Sequence, residues 1–351
     1  MLEDLLKVTQ ERQASDLHLK TGSHPVLRID GQLEILTDWP ALSADQVTLI
    51  FQELTTGEQR QAFERDFELD FSIQVAHEAR YRVNAAYQMG SISLALRRFP
   101  LIVPKLSQLG LPDICASLTL RKQGLILVTG PTGSGKSTTL AAMIQHINQT
   151  QARRIVTIED PIEYVYEDEH SVITQREIGR DTLSFAVAAR QALRQDPDVI
   201  LVGEMRDSET MAACLTAAET GHLVLSTLHT NSGPQTIDRI LDTFPPHQQN
   251  QVRMQLSLTL TAVISQRLLL RADGHGRLPA VELMLANPAI RNLIREGKTH
   301  QMANVIQTGR EVGMQTMEQA LFDLVHEGRI SHEQASVYAN DREALHSLLH
   351  A

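Results

Sequence analysis

The sequence predicts an α/β protein with two units, an N-terminal α+β unit and a larger unit built on a mostly parallel sheet. Up to about residue 100, short alternating strands are mixed with capped helices. From Gly124 onward, continuously apolar strands alternate with helices, a pattern typical of a parallel sheet covered on both faces. Between these patterns, FPLIVPKLSQLGLP carries three prolines in 14 residues and predicts a linker. The expected divisions are 1–100, a linker at 101–112, a core at 113–285, and a C-terminal helical region at 286–351.

The N-terminal unit is predicted from short strands and from helix-capping signals. Strands are expected in DLHLK, PVLRIDG, LEIL and LDFSIQV. Helices are expected in SADQVTLIFQEL and TTGEQRQAFERD, because each carries a Ser or Thr followed three residues later by Gln. The first residues, MLEDLLKVTQERQ, predict an amphipathic helix and lack the layout of a signal peptide.

The segment RYRVNAAYQMGSISLALRRFP predicts a hairpin with an unfavourable charge arrangement. A two-residue period separates its apolar and polar residues, and a turn at Met89-Gly90 pairs the apolar ones across the two strands. The same register puts Arg82 directly across from Arg97, where like charges repel. The repulsion can be relieved by an anion bound in front of the pair or by acidic residues of the same domain.

The larger unit is predicted from four strands, GLILVTG, RRIVTIED, DVILVGE and LVLSTLH. Their uninterrupted apolarity predicts burial on both faces of the sheet. After PAVELML the chain is expected to be helical to its end, through NPAIRNLIREG, MQTMEQALFDLVHEG and SHEQASVYA.

Composition narrows the class of protein. The 351 residues have a formal net charge of −10, which disfavours nucleic acid as a partner. Cys115 and Cys214 lie far apart without CxxC spacing, so a disulfide or zinc framework is not expected. This cysteine usage predicts that the protein resides in a reducing cytoplasm. No apolar run approaches the roughly 18 residues that a membrane span requires.

The run GPTGSGKSTT fits the pattern G-x-x-x-x-G-K-[ST] and lies between a predicted strand and a predicted helix. Its backbone N–H groups can surround phosphate oxygens at the positive end of the helix. Lys136 is expected to reach the β- and γ-phosphates, and Ser137 to offer its hydroxyl to Mg²⁺. The sequence therefore predicts a P-loop for a nucleoside triphosphate. The expected binding residues are Gly133, Ser134, Gly135, Lys136, Ser137 and Thr138.

A carboxylate follows one of the apolar strands, where DPDVILVGE ends at Glu204. The carboxyl edge of a parallel sheet is where ligands bind, and a P-loop enzyme needs an acid there to orient water or to hold the shell of Mg²⁺. The preceding position, where a metal-binding Asp would be usual, is Gly203. Mg²⁺ is therefore expected on Ser137 and water, with Glu204 acting through water.

A second group of acids, Glu159, Asp160 and Glu163 in TIEDPIEY, follows another predicted strand. It forms either an acidic surface turn or a second contribution to the same site. Glu163 and Glu204 are therefore rival candidates for the catalytic base.

Two histidines flank the predicted strand in AETGHLVLSTLHTNS. Seven residue steps separate His222 from His229 by roughly 23 Å, so a single zinc ion cannot bind both. His229, at the carboxyl end, is a candidate sensor of the γ-phosphate, whereas His222 is expected to serve elsewhere, such as at a subunit contact.

The helix predicted in AIRNLIREG places Arg291 and Arg295 four residues apart, where like charges repel. It is either an amphipathic helix with a solvated basic face or a docking element for an acidic partner.

Together these motifs resemble the PilT family, the retraction motors of type IV pili within the secretion ATPases, from SDLHL to GMQTMEQAL. The resemblance implies a PAS-like N-terminal domain, a RecA-like ATPase domain, ATP and Mg²⁺, and a homohexamer at the cytoplasmic face of the inner membrane. It implies a pilus platform protein as a partner and a paralogous motor as a further one. It also implies roles for Lys136, Glu204, the TIEDPIE box, the histidine pair His222 and His229, and the nucleotide-reaching arginines Arg82 and Arg97.

Three other functions stay open at this point. An extension or secretion motor usually carries a longer N-terminal region, and many such motors carry a four-cysteine insertion. A RecA-like nucleic-acid translocase would show hydrolysis stimulated by nucleic acid, with a steep salt dependence. A P-loop switch would bind nucleotide without turnover. Within ALRRFP, Arg98 competes with Arg97 as the arginine that reaches nucleotide.

Overall fold

The computed structural model describes residues 1–75, 79–99, 102–274 and 276–350. The chain divides into two compact units. The first unit comprises Met1–Ile102 together with Pro161–Val165, and the second comprises Val103–Asp160 and Tyr166–Ala351.

The first unit contains a six-stranded sheet in the order β3-β2-β1-β6-β5-β4, in which each neighbouring pair is antiparallel. Three helices supply apolar side chains to the core on one face of this sheet. The predicted α+β architecture is thus confirmed. Its elements are α1 (Leu2–Glu11), β1 (Asp16–Lys20), β2 (Val26–Ile29), β3 (Gln32–Ile35), α2 (Ala44–Leu54), α3 (Gly57–Asp66), β4 (Glu68–Val75), β5 (Ala79–Gln88) and β6 (Ser91–Phe99).

Both predicted capping boxes are present. The Ser43 hydroxyl accepts from the Gln46 N–H while the Gln46 side chain accepts from the Ser43 N–H, and Thr56 and Gln59 repeat this exchange. Each box satisfies N–H groups that the first turn of a helix leaves without an internal partner. The starts of α2 and α3 are therefore encoded locally.

The predicted hairpin forms with the predicted register. Met89 and Gly90 both have positive φ, 51° and 75°, the conformation that a tight two-residue hairpin turn requires. Arg82 stands directly opposite Arg97, as expected. Because paired residues share a face, both guanidiniums lie on the sheet face away from the apolar core of this unit.

The second unit alternates strands and helices. Its elements are α4 (Ile114–Leu118), β7 (Gly124–Thr129), α5 (Lys136–Thr150), β8 (Arg154–Glu159), β9 (Val172–Glu177), α6 (Phe185–Ala192), β10 (Val199–Val202), α7 (Ser208–Glu219), β11 (Leu223–Leu228), α8 (Gly233–Asp242), α9 (Pro246–Thr259), β12 (Leu260–Leu270), β13 (Arg277–Leu285), α10 (Pro288–Glu296), α11 (Met302–Thr308), α12 (Met317–His326), α13 (His332–Tyr338) and α14 (Arg342–Leu349).

These strands form a seven-stranded sheet in the order β13-β12-β7-β11-β10-β8-β9. Every neighbouring pair is parallel except β12 and β13. Each residue of β7, β10 and β11 is buried, and separate apolar clusters contain residues from α5 and from α7 and α8. The predicted parallel sheet is confirmed, with an antiparallel strand at one edge.

Three strands of the second unit, β9, β12 and β13, were not predicted from the sequence. The strand β12 begins at Leu260, directly after α9 ends at Thr259, so no turn residue marks the change. A continuous apolar run without such a boundary does not distinguish a strand from a buried helix.

The segment expected to be a linker differs in the structure from that expectation. Residues 103–112 belong to the second unit, and Leu106 is buried in the core of that unit. Pro100 and Leu101 lie outside the described residues.

The arginines of AIRNLIREG have different environments. The Arg291 guanidinium donates to the carbonyls of Ser257 and Leu258 at 2.6 Å, and to those of Leu260 and Ala286 at 2.8 Å. It therefore occupies the negative end of α9, where a cation is stabilised by the helix dipole. The interpretation of Arg291 as part of a solvated basic face is wrong, whereas Arg295 is exposed as expected.

The C-terminal helices pack on the antiparallel edge of the sheet. Apolar residues of α12, α13 and α14 form one cluster with Leu269, Leu278 and Ala280 of β12 and β13. Two buried carboxylates accompany this apolar contact, Glu282 of β13 and Glu318 of α12. The C-terminal region is thus an integral part of the second unit.

Glu282 lies at the start of two helices. Its carboxylate accepts from the Gly233 N–H, at the first residue of α8, at 2.6 Å, and from the Met317 N–H, at the first residue of α12. Burial raises the pKa of Glu282 to about 7, the two backbone N–H groups oppose that rise, and the neighbouring Glu318 adds to it. Glu318 in turn accepts from the N–H groups of Asn340 and Asp341.

Within the described ranges, each helix is too short or too polar to cross a bilayer.

This raised pKa predicts a pH-dependent stability. An acid whose pKa is higher in the folded state than in the unfolded state contributes stability below its unfolded pKa, here 4.5, and loses it as pH rises through about 7. We expect the melting temperature of the wild type to fall more between pH 5 and pH 8 than that of Glu282→Gln. Between these two pH values, the pKa shift of Glu282 corresponds to a loss of about 3 kcal/mol in the free energy of unfolding of the wild type. Glu327→Gln, at an exposed carboxylate, is the control and should keep the wild-type slope. Equal slopes for wild type and Glu282→Gln would contradict the prediction.

Candidate active site

The site begins with the loop between β7 and α5. Gly130 has a φ of 142°, and a Cβ there would lie 2.4 Å from the Gln266 carbonyl oxygen and 2.5 Å from Ser134 Oγ. Glycine is therefore required at this position for two reasons, its backbone conformation and the approach of β12. Gly133 and Gly135 also have positive φ, 79° and 90°. The sequence pattern of this loop thus reflects a backbone geometry that other residues adopt only with strain.

The helix α5 presents its positive end to this loop. Gly135 precedes the helix without a side-chain cap, and the first helical N–H groups, at Lys136, Ser137 and Thr138, come before the first intrahelical bond, from Thr139 N–H to the Gly135 carbonyl. Oriented N–H groups at a helix start are an established setting for phosphate. Ser134 is buried with its side chain against Gly130, so its side chain supports the loop from inside.

Lys136 lies across the loop. Its ammonium donates to the carbonyls of Gly130 and Pro131, each at 2.9 Å, and the residue is buried. These bonds fix the ammonium against the backbone of the loop. Ser137, one residue further, is exposed in the first turn of α5.

Three adjacent strands bring the predicted site residues together. The strands β7, β11 and β10 are consecutive in the sheet and parallel, so their carboxyl ends meet at one edge. The P-loop follows β7, His229 follows β11, and Glu204 follows β10. Within the second unit, the structure therefore places these three elements at the ends of neighbouring strands.

Glu204 is largely buried and interacts with two basic side chains. Its carboxylate lies 2.7 Å from Arg206 Nε and 3.6 Å from His229 Nε2, and its side chain is 15% exposed. Burial lowers the pKa of His229, and the charge of Lys136 lowers it further, while Glu204 opposes both effects. His229 is therefore mostly uncharged at neutral pH. Arg206, two residues after Glu204, was not identified from the sequence.

Gly203 has a steric explanation. A Cβ at this position would lie 3.3 Å from the Ile158 carbonyl oxygen and 3.5 Å from the Phe185 ring. The peptide is further held by the Thr227 hydroxyl, which donates to the Gly203 carbonyl at 2.6 Å. An aspartate would therefore fit only if the Ile158 carbonyl gave way by a few tenths of an ångström. Among the described residues, no three His, Cys, Asp or Glu side chains gather to hold a metal ion.

The acids of TIEDPIEY are distributed between the two units. Glu159 ends β8, and its carboxylate accepts from the Thr157 hydroxyl at 2.7 Å and from the Gln175 amide at 3.2 Å. Glu163 lies in the segment that groups with the first unit, whereas Glu204 lies in the second. The rival acids thus belong to different units.

His222 lies at the opposite end of β11 from His229, as expected. Its Nδ1 lies 2.9 Å from the Ala217 carbonyl oxygen and 3.1 Å from the Thr220 hydroxyl, at the end of α7. These bonds are local and fix the turn between α7 and β11.

Gln266 is a site-supporting residue that the sequence analysis missed. It is buried in β12, its amide donates to the Thr139 hydroxyl of α5 at 2.9 Å, and its backbone carbonyl approaches Gly130. The adjacent Ser265 hydroxyl accepts from Thr129 at the end of β7. The available signal was the polar triplet SQR within an otherwise apolar run.

In the first unit, the arginine pair is matched by local carboxylates. Arg97 Nε donates to Asp16 at 2.9 Å, and Arg82 lies 3.5 Å from Asp70. Both arginine side chains retain exposure, 59% for Arg97 and 39% for Arg82. Arg98 pairs with Tyr81 on the other face of the hairpin, where its Nε is buried.

Comparisons with known proteins agree with this architecture. The family model for the type II/IV secretion system protein matches residues 1–348. The type IV pilus retractation ATPase PilT of Pseudomonas aeruginosa is 48% identical over 334 residues, which cover 95% of this chain and 96% of that protein. The twitching motility protein of Neisseria gonorrhoeae is 49% identical over 321 residues, covering 92% of this chain and 86% of that protein. A crystal structure of the pilus retraction motor PilT with bound ADP superposes with a TM-score of 0.90 at 50% identity, covering 98% of each chain. The chain therefore belongs to the type II/IV secretion system protein family, as a PilT-like member.

Proposed function

We propose that this chain is an ATP hydrolase that powers retraction of a type IV pilus, working as a homohexameric ring at the cytoplasmic face of the inner membrane. One observation carries the enzymatic part of this proposal. The P-loop, His229 and Glu204 follow three adjacent parallel strands, which supports an acid beside the terminal phosphate of a triphosphate bound by the loop. The mechanical part rests on similarity to proteins named for pilus retraction and twitching motility.

The chemistry assigned to the second unit is charge stabilisation and water activation. Lys136 and the N–H groups at the start of α5 compensate the charge of the β- and γ-phosphates. Glu204 orients the attacking water and accepts its proton, and Arg206 and His229 hold that carboxylate in place. An uncharged His229 carries a single N–H, which it can offer either to Glu204 or to the γ-phosphate.

The residues present fit Mg²⁺, with the protein supplying few of the ligands of the ion. Mg²⁺ usually keeps several waters and binds through few protein groups plus substrate phosphates. Ser137 would supply the direct hydroxyl ligand, and Glu204 would act through water, since Gly203 offers no carboxylate. When bound, the ion supplies charge neutralisation at the phosphates.

We assign Arg82 and Arg97 as arginine fingers that reach the nucleotide of a neighbouring subunit. Both lie on the sheet face away from the core of the first unit and keep partial exposure. Asp16 and Asp70 neutralise the pair within its own domain, so relief of repulsion alone does not require a nucleotide. Arg97 is preferred over Arg98 because Arg98 lies on the opposite face.

The proposed partners are the inner-membrane platform protein of the pilus and a paralogous motor. Nucleic acid is not proposed as a partner, because the net charge of the chain is −10. The surface proposed to transmit force is the helix α10, which carries the exposed Arg295 and the partly buried Leu293.

The first prediction of the proposed function separates the rival acids. Glu204→Gln keeps the size of the side chain but removes its charge, so it should bind ATP and hydrolyse it at least about 100-fold more slowly. Phosphate release and nucleotide binding are measured on the same preparations, with Lys136→Ala as the inactive reference. A dead Glu163→Gln beside an active Glu204→Gln would reverse the two roles.

The second prediction tests the fingers across subunits. Lys136→Ala and Arg97→Ala should each be inactive alone, whereas in an equal random mixture about a quarter of interfaces join an intact P-loop to an intact finger. Phosphate release from co-assembled rings should therefore exceed that of either variant. Arg98→Ala is the matched control and should keep most of its activity. Full activity of Arg97→Ala by itself would exclude the role of that residue.

The third prediction concerns α10. Leu293→Ala and Arg295→Ala should leave ATP turnover largely intact and abolish pilus retraction, because the helix is assigned to force transmission rather than to chemistry. Turnover is measured on purified protein, and twitching motility is measured in cells that express each variant. Normal twitching in both variants would leave α10 as an ordinary amphipathic helix.

A further inference from the structure

Glu282 is a buried carboxylate that the proposed chemistry does not use. It is 5% exposed in the middle of β13, and it accepts from the first N–H of α8 and the first N–H of α12. Helix starts carry partial positive charge, and here two helix starts face the same carboxylate. The arrangement joins α8, which follows the active-site strand β11, to α12 of the C-terminal region.

This arrangement costs stability. Burial and the neighbouring Glu318 disfavour the charged form of Glu282, and Arg267 is the cation that partly compensates. A neutral side chain of similar shape would avoid that cost. Buried ionisable groups that are unfavourable for stability occur often at functional sites, so a task beyond packing is indicated.

The contact with α8 reaches the active site through a short connection. Only residues 229–232 separate the end of β11 from Gly233, where Glu282 binds. The connection is further held by the Thr230–Thr236 hydroxyl pair at 2.7 Å and by the Gln235 side chain, which accepts from the Asn231 N–H. His229, which lies 3.6 Å from Glu204, is the first residue of this connection. Displacing the start of α8 would therefore displace His229.

The residue at the start of α8 is suited to this close approach. A Cβ at Gly233 would lie 2.9 to 3.0 Å from the Met284 side chain of β13, closer than a normal contact. The absence of a Cβ lets the backbone N–H come within 2.6 Å of the Glu282 carboxylate. Gly233 and Glu282 thus act together to seat α8 on β13.

We propose that Glu282 is a positioning residue for ATP hydrolysis, which seats α8 so that His229 meets Glu204 and which couples this seat to the C-terminal helix α12. The proposal rests on the role of His229 and Glu204 given above. Glu282 does not contact the reacting groups and acts only through the connection 229–232. A shift of α12 would change the placement of His229, which gives the C-terminal region a path to the rate of hydrolysis.

The test is a double-variant cycle measured by phosphate release at pH 8. Glu282→Gln removes the charge and replaces one of the two acceptor oxygens with a donating NH₂ group, which weakens the hold on the two helix starts. We expect it to lower kcat about tenfold with little change in the KM for ATP, since the P-loop is not altered. In a His229→Ala background the same change should lower kcat less than about twofold. Glu318→Gln, at the adjacent buried carboxylate, is the matched control and should stay within about twofold of wild type. Ring assembly and melting are checked for each variant, and Glu282→Asp, which keeps both acceptors on a shorter side chain, should recover part of the loss.

The outcomes separate this proposal from the proposed function. Equal losses from Glu282→Gln in the wild-type and His229→Ala backgrounds would indicate a general structural effect and overturn the proposal. Wild-type kcat in Glu282→Gln would overturn it as well. Full activity of His229→Ala alone would instead contradict the role of His229 in the proposed function. The activity of this variant is therefore measured before the Glu282 variants are interpreted.

Discussion

The parallel pairing of β7, β11 and β10 is the constraint on which the active site depends. Parallel strands end at the same edge of a sheet, and here the three neighbouring ends carry the P-loop, His229 and Glu204. Such pairing is stable only when both faces of the sheet are covered, so the helices that follow each strand are also required. The apolar strands, the helices between them and the polar residues after each strand are therefore consequences of one architecture.

Charge in this protein is balanced locally rather than by the overall composition. The facing arginines Arg82 and Arg97 are matched by carboxylates on neighbouring strands of the same sheet. The Arg291 guanidinium is matched by the carbonyls at the end of α9. In each case a repulsion visible in the sequence is relieved by a group distant in the chain, so the net charge of −10 does not indicate where anions are bound.

The C-terminal helices share buried groups with the active-site side of the second unit. Apolar contacts with β12 and β13 hold these helices, and Glu282 adds a polar contact that reaches the start of α8. An apolar contact tolerates small shifts of the packed surfaces, whereas a hydrogen bond between a carboxylate and a helix start depends on direction. The polar contact is therefore the one suited to relate the position of α12 to that of His229.

The sequence by itself determined those features that depend on a local pattern. These are the P-loop, the capped starts of α2 and α3, the Met89-Gly90 turn with its register, the buried parallel strands, and the resemblance to the PilT family. Only the tertiary structure decided which distant groups meet. It placed Glu204 beside Arg206 and His229, Gln266 behind the loop, Arg291 on the end of α9, and Glu282 between two helix starts. It also revealed β12, whose start no turn residue marks. The physical reason is that turns and caps depend on neighbours within a few residues, whereas burial, charge pairing and helix-end contacts depend on residues far apart in the chain.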